Sequence, residues 1–272
     1  MQVVDFSRAR RALATALLAG FGCVSASAIN IDVRGTLGPY GGFGNSLNYS
    51  AGGVNVSLYG WAETGALQTS TPSNFWLFQT AEIYSWSTGV GVCNRVEGTL
   101  ASGNCSVNEQ EIDTVGSRDD LIVLYFDQIV SFGNLQVTVD PWDGPGSDPN
   151  DRDLRFWVAT VASGAPNLST YSFNTLSTAF GTSYLSSVIS SYDAYTHLLG
   201  SVIGPLSGNL LMISGNWFDR SCVNRNSTAD KECEAWQLAS IDVDVNVIPV
   251  PAAVWLLGSA LGLLGWMRRR SA

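Results

Sequence analysis

Five aspartates, Asp140, Asp143, Asp148, Asp151 and Asp153, fall within 14 residues, and Asn150 lies among them. Carboxylate and amide oxygens on a turning loop are the donors that Ca2+ takes, six to eight of them at about 2.3–2.6 Å. Only Arg152 and Arg155 stand near enough in sequence to offset the five charges. The spacing is not that of an EF-hand, because neither the turn glycine nor the terminal glutamate falls in place. The same residues also suit a solvated, proline-rich turn in which aspartates cap backbone N–H groups. A second acidic group, Glu97, Glu111, Asp113, Asp119 and Asp120, offers the same choice between a cation and solvated loops paired with Arg118. Paired carboxylates also serve glycosidases, which need them about 5–5.5 or 6.5–9.5 Å apart in a cleft. Here they sit in turn-like sequence rather than between apolar strands.

Other catalytic chemistry has little to build on. His197 is the only histidine. A Ser-His-Asp triad would have to use it, with Asp193 as an unusual orienting partner, and no G-x-S-x-G elbow occurs. One histidine also excludes metal sites that need two or three from a single chain. No G-x-G-x-x-G precedes a helix-like stretch, so a nucleotide is not expected. Trp61, Trp76, Trp86, Trp142, Trp157, Trp217 and Trp236 are many for 272 residues. Most should fill a core, but Trp142, inside the aspartate loop, is placed to stack on a sugar or a partner.

Cys93, Cys105, Cys222 and Cys233 form an even set once Cys23 is assigned to a removable leader. In an exported chain an even set indicates disulfides. Three pairings are open, and the local pairs Cys93–Cys105 and Cys222–Cys233 are the natural expectation. Each would add about 3 kcal/mol by constraining the unfolded chain. A four-cysteine zinc site is the rival, but neither spacing is a C-x-x-C knuckle.

The leader is residues 1–28. Arg8, Arg10 and Arg11 precede the apolar run Ala12–Phe21, and Ala26-Ser27-Ala28 supplies an A-x-A cleavage site, the three parts of a secretory signal peptide. At the other end, residues 252–267 carry no charge and are followed at once by Arg268, Arg269 and Arg270. That pattern predicts an apolar helix with a stop-transfer cluster, arginines inside and body outside. With both ends removed, the body keeps 8 basic and 22 acidic residues. Such a surface repels polyanions, attracts divalent cations and argues against nucleic acid. Hydrophobic residues at 46% and charged residues at 14% exclude a disordered acidic chain.

The tail carries a resemblance. Pro249, Val250, Pro251, Ala252, Ala253 and Trp255, then a glycine-containing apolar span, then the arginine cluster, resemble the PEP-CTERM sorting signal of Gram-negative bacteria. Val250 stands where the family usually has glutamate. The resemblance implies recognition by an exosortase at the proline motif in residues 248–272, after passage through the inner membrane. In the middle of the chain, Gly89 to Glu97, Cys105, Ile112-Asp113 and the strand-like Asp120 to Phe126 are similar to exosortase-dependent surface proteins. There the usual Asp-Asn pair is Asp113-Thr114.

The body, residues 29–247, must position whatever chemistry there is, and it reads as strands. Val54–Tyr59, Leu135–Val139 and Ile241–Val247 alternate apolar and polar residues, the mark of half-buried antiparallel strands. Leu121–Phe126 is continuously apolar, as in a central strand; Arg155–Ala159, Leu210–Ile213 and Phe75–Phe78 add others. Leu176–Leu199 permits a helix or further strands, and Gly35–Gly53 reads as a glycine-rich loop. The expected fold is an all-β antiparallel sandwich or jelly roll. The expected function is that of a non-enzymatic envelope or extracellular-matrix protein, secreted or on the outer surface and associated with exopolysaccharide. The rivals are a Ca2+-dependent carbohydrate-binding module, which would cluster exposed aromatics beside the Asp140–Asp153 loop, and a secreted hydrolase, which would need a polar cleft.

Overall fold

One strand organises the molecule. In the computed structural model, β9 runs over Asp120–Pro141, 22 residues without a break. The sequence suggests two strands here, Leu121–Phe126 and Leu135–Val139. The structure joins them because ladder partners continue along both edges, and two partners share each edge. On one edge β3 (Val54–Glu63) pairs with residues 120–126 and β14 (Ala235–Val245) with residues 130–141. On the other edge β13 (Ser207–Gly215) pairs with residues 121–131 and β12 (Tyr195–His197) with residues 137–139. The description covers residues 27–35, 44–63, 77–93, 98–99, 104–105, 112–113, 119–141, 154–186, 195–203, 206–215 and 235–245.

The change of partner on β9 closes the sheet. β4 (Phe78–Ser85) pairs with β3, β5 (Val90–Cys93) with β4, and β14 with β5. The ring β3–β4–β5–β14–β9 is a five-stranded antiparallel barrel, which leaves no free edge within the ring. The all-β antiparallel expectation holds. The expected packing of two sheets takes the form of one sheet that closes on itself.

β2 (Ser46–Ala51) pairs with β3 through the turn Gly52-Gly53. Both glycines have positive φ, 56° and 82°, which a two-residue hairpin turn requires. This hairpin includes the end of the stretch read as a glycine-rich loop. Alternation over Ser46–Ala51 was its strand signal, masked by Gly35, Gly38, Gly41, Gly42 and Gly44 upstream. β1 (Ser27–Asp32) pairs with β14. The Val33 amide donates to the Ala239 carbonyl (3.1 Å) and the Asn30 side-chain amide to Asp242 Oδ1 (2.8 Å), so the two strands run antiparallel. β1 therefore begins beside the residues where β14 ends. The Tyr49 hydroxyl donates to the Val33 carbonyl (2.9 Å) and ties β2 across to the segment after β1.

Two clusters of buried side chains lie on opposite faces of the sheet. The inner one fills the barrel with Val56, Leu58, Ile83, Val92, Ile122, Leu124, Phe126, Val137, Trp236 and Ile241 among others. The outer one holds Trp61, Phe78, Leu121, Val123, Trp157, Phe173, Leu176, Leu210 and Met212. Successive residues of β9 and β13 alternate between them, which explains the continuous apolar run Leu121–Phe126. β10 (Leu154–Ala159), paired with β13 and with β11 (Tyr184–Ser186), extends this two-sided region.

Helix α1 (Phe173–Phe180) covers the outer cluster. It starts at Ser172, whose backbone amide donates to the Thr175 hydroxyl (2.8 Å), and it ends at Gly181 with φ 91°. It presses Phe173 edge-on against Phe78, with ring centroids 4.8 Å apart. Within the helix-permissive stretch Leu176–Leu199 the described residues hold the end of α1 and the strands β11 and β12, and the short α2 (Gly200–Ile203) begins just after it. Among the described residues no helix is long and apolar enough to cross a membrane. The expected leader, residues 1–26 of it, and the apolar helix at 252–267 lie outside the described residues.

Candidate functional site

Most of the residues singled out in the sequence fall outside the described set. These are Trp142, Asp143, Asp148, Asn150, Asp151 and Asp153 of the aspartate loop, Cys222 and Cys233, and all of the sorting motif and arginine stop. Asp140 is placed by its backbone alone, opposite Gln237 of β14. Among the described residues no three His, Cys, Asp or Glu side chains converge as metal ligands.

The second acidic group is divided by strand geometry. Asp119 and Asp120 are adjacent in sequence, but side chains of consecutive strand residues point to opposite faces. Asp120, opposite Ala62, belongs to the inner face and is 0% exposed. Asp119 neighbours Glu63, whose backbone amide donates to its carbonyl (3.2 Å); both acids are 4% exposed. Asp119 immediately precedes β9, and Glu97 and Glu111 of the same group lie outside the described residues. The structure puts Glu63, which the sequence pattern did not mark, beside Asp119. Asp113 lies on β8 (Ile112–Asp113), opposite Ala235.

His197 is 1% exposed, on β12 opposite Val137 of the inner cluster. The adjacent Thr196 hydroxyl meets the Thr138 hydroxyl at 2.9 Å across the same ladder. His197 is thus a buried residue on a strand paired to β9 outside the five-stranded ring, and Asp193 lies outside the described residues. Cys93, buried at the end of β5, is disulfide-bonded. The small hairpin of β6 (Gly98–Thr99) and β7 (Asn104–Cys105) sets Cys105 opposite Gly98. Trp61 and Trp157 fill the outer cluster and Trp236 the inner one, as core tryptophans should. The Trp157 indole N–H donates to Ser177 of α1 (3.1 Å).

The outer side of β2, β3 and β9 runs from the outer cluster to exposed polar residues in three registered rows: Ser46, Tyr59 and the buried Val123; Asn48, Ser57 and Tyr125; Ser50, Asn55 and Asp127. Tyr59 and Tyr125 occupy diagonal positions, for which the backbone spacing is about 7–8 Å. Both are half-buried, packed at their base against the outer cluster. Their hydroxyls make no hydrogen bond with any described residue. Asn48, Ser50, Asn55 and Asp127 are exposed.

The polar groups of this face are held by one another. The Ser57 hydroxyl donates to Asn48 Oδ1 (2.6 Å), which leaves the Asn48 amide N–H groups directed outward. Asn55 donates its backbone amide to one Asp127 oxygen (3.1 Å) and its side-chain amide to the other (2.6 Å). The single carboxylate is thereby engaged on both oxygens, and its two partners fix its orientation. The face offers aromatic surface with amide and hydroxyl groups, and no nucleophile paired with a base. Nothing in the sequence flagged it, because its two tyrosines lie 66 residues apart and only the β3–β9 register makes them neighbours.

No family model matches the chain, and no curated protein or solved structure is similar to it.

Proposed function

We propose that the chain is an exported, non-enzymatic protein of the bacterial envelope or extracellular matrix. In this reading residues 1–28 direct export. The motif around Pro249 and Pro251 is cut by an exosortase at the inner membrane, and the released body associates with exopolysaccharide. The observation that carries it is the antiparallel pairing of β1 with β14, which sets the first and last strand residues of the body side by side. The described body therefore begins and ends at neighbouring points. A body tethered by its leader during export, and by its tail before processing, would be held near the same point in both states. The disulfide at Cys93 adds support, since such bonds persist in oxidising compartments outside the cytoplasm. Pairing of Cys93 with Cys105, and of Cys222 with Cys233, belongs to the same reading.

The test is to express the full chain in a Gram-negative host that carries an exosortase, then to sequence both termini of the product in each cell fraction. The expected product begins at Ile29, lacks residues 252–272 and lies outside the inner membrane. Replacing Pro249 and Pro251 by alanine should hold the chain in the inner membrane with its tail intact. An uncut chain in the cytoplasm would overturn the proposal.

A further inference from the structure

We infer that the outer face of β2, β3 and β9 is a binding site for a neutral polysaccharide, with Tyr59 and Tyr125 as the platform for its sugar rings. This deepens the exopolysaccharide part of the proposed function and rests on that reading. The argument begins with the tyrosines. A tyrosine ring offers an apolar face to the C–H groups of a pyranose, and its hydroxyl can bond the ring's own hydroxyls. Tyr59 and Tyr125 present two such rings on neighbouring strands. Their bases are fixed by packing and their hydroxyls are not used by any described residue. Ordering them on a ligand therefore costs little side-chain entropy.

The polar groups between and beside the rings are those that sugars use. Asn48 and Ser57 lie in the same row as Tyr125, and their mutual bond pre-sets the amide for an incoming hydroxyl. Ser46 lies in the row of Tyr59. The strands themselves set the shape: three neighbouring antiparallel strands about 4.8 Å apart form a broad, shallow surface suited to a chain rather than to a single small molecule.

Charge selects the class. The body has 22 acidic and 8 basic residues, so an acidic polysaccharide would approach against the field. Among the described residues of this face Asp127 is the one charged group, and Asn55 holds both of its oxygens. A neutral glycan meets no desolvated charge there and finds both donors and acceptors.

The experiment is affinity electrophoresis of the purified full chain in detergent, through native gels cast with a neutral β-glucan, a galactomannan, dextran or alginate. The expected result is retardation by at least one neutral gel and none by alginate. Tyr59→Ala/Tyr125→Ala should weaken that retardation about tenfold or more. Since the tyrosines lean on the outer cluster, a second variant guards against misfolding. Asn48→Glu changes an exposed side chain in the middle of the face and should weaken retardation to a similar degree with an unchanged unfolding temperature. An unretarded wild-type chain in every neutral gel, or wild-type retardation of a folded Asn48→Glu protein, would overturn the inference. The export test reads only the chain termini, so it stands or falls separately.

Discussion

The two faces of the central sheet hold cores of different construction. The inner cluster is mostly branched aliphatic and comes largely from strands, with Phe126 and Phe132 meeting edge-on at 5.9 Å where β9 changes partner from β3 to β14. The outer cluster is aromatic, built on Trp61, Phe78, Trp157 and Phe173, and one eight-residue helix forms much of its cover. Helices of that length are not stable alone, so α1 depends on the face it covers. The ring around the inner cluster is held by strand ladders, of which β14–β5 contributes the single described pair Leu238–Val90. A helical cover can lift while the sheet below stays intact. The same strand, β9, thus serves a core held by strand ladders and a core covered in part by a short helix.

That contrast is open to direct attack. Phe126→Ala should have the largest effect, about 3–5 kcal/mol, because the cavity lies inside the closed ring. Denaturant unfolding should show the full loss as a lower midpoint with an unchanged slope. Phe173→Ala removes the contacts to Phe78 and Trp157 and should cost less globally, about 1–3 kcal/mol. Its signature should be local: amide exchange in α1 rises far more than in β9. Equal acceleration in both elements would erase the distinction between the two cores.

Smaller effects probe the rim of the inner core. Tyr49→Phe deletes the bond to the Val33 carbonyl and should cost about 0.5–1.5 kcal/mol. Burial raises the pKa of this phenol above its ordinary value of 10.0, so the folded state favours the protonated form. The associated stability is complete below pH 10 and fades as pH climbs through the folded value. In the Phe variant that alkaline loss should be reduced, which stability curves between pH 9 and 11 would read.

The smallest effect belongs to Arg34, whose guanidinium meets Asp32 at 2.7 Å with both side chains about half exposed. The hydrogen bond from Arg34 holds the Asp32 pKa below its ordinary 3.8. A depressed carboxylate stabilises the fold above that pH and loses its contribution as pH falls through the folded value. Solvent screening keeps the pair below about 1 kcal/mol. Arg34→Ala should therefore lower stability by about a few tenths of a kcal/mol at pH 7 and by less as pH falls below 3.8, by urea titration at each pH.

The strands that were legible in the sequence are those whose pattern reflects one environment. Val54, Val56 and Leu58 point inward from β3 while Asn55 and Ser57 point outward, and the alternation says so. Leu121–Phe126 announced burial on both faces by its lack of alternation. What stayed hidden was long-range. Nothing local distinguishes a strand of a sandwich from a stave of a barrel; closure depends on β3 and β14 sharing one edge of β9, pairings that join residues as far apart in sequence as Ala62 and Asp120 or Leu238 and Val139. Asp244 misleads in the same way. Its place in the alternation puts it outward, yet it is buried, held by the Asn134 side-chain amide at 2.6 Å. The candidate glycan face was hidden for a related reason: β2 was obscured by the glycines before it, and the face needs β2.

The adjacency of the body's two ends also sets how the molecule carries load. Force applied between the start of β1 and the end of β14 would separate an antiparallel pair from its open end, bond after bond, and so peel β1 away at low tension. Force entering through β14 alone, against a grip on the face of β2, β3 and β9, would instead run along the β14–β9 ladder and load its bonds together. A body held at the end of β14 and gripped on that face would be pulled in the second, stronger direction.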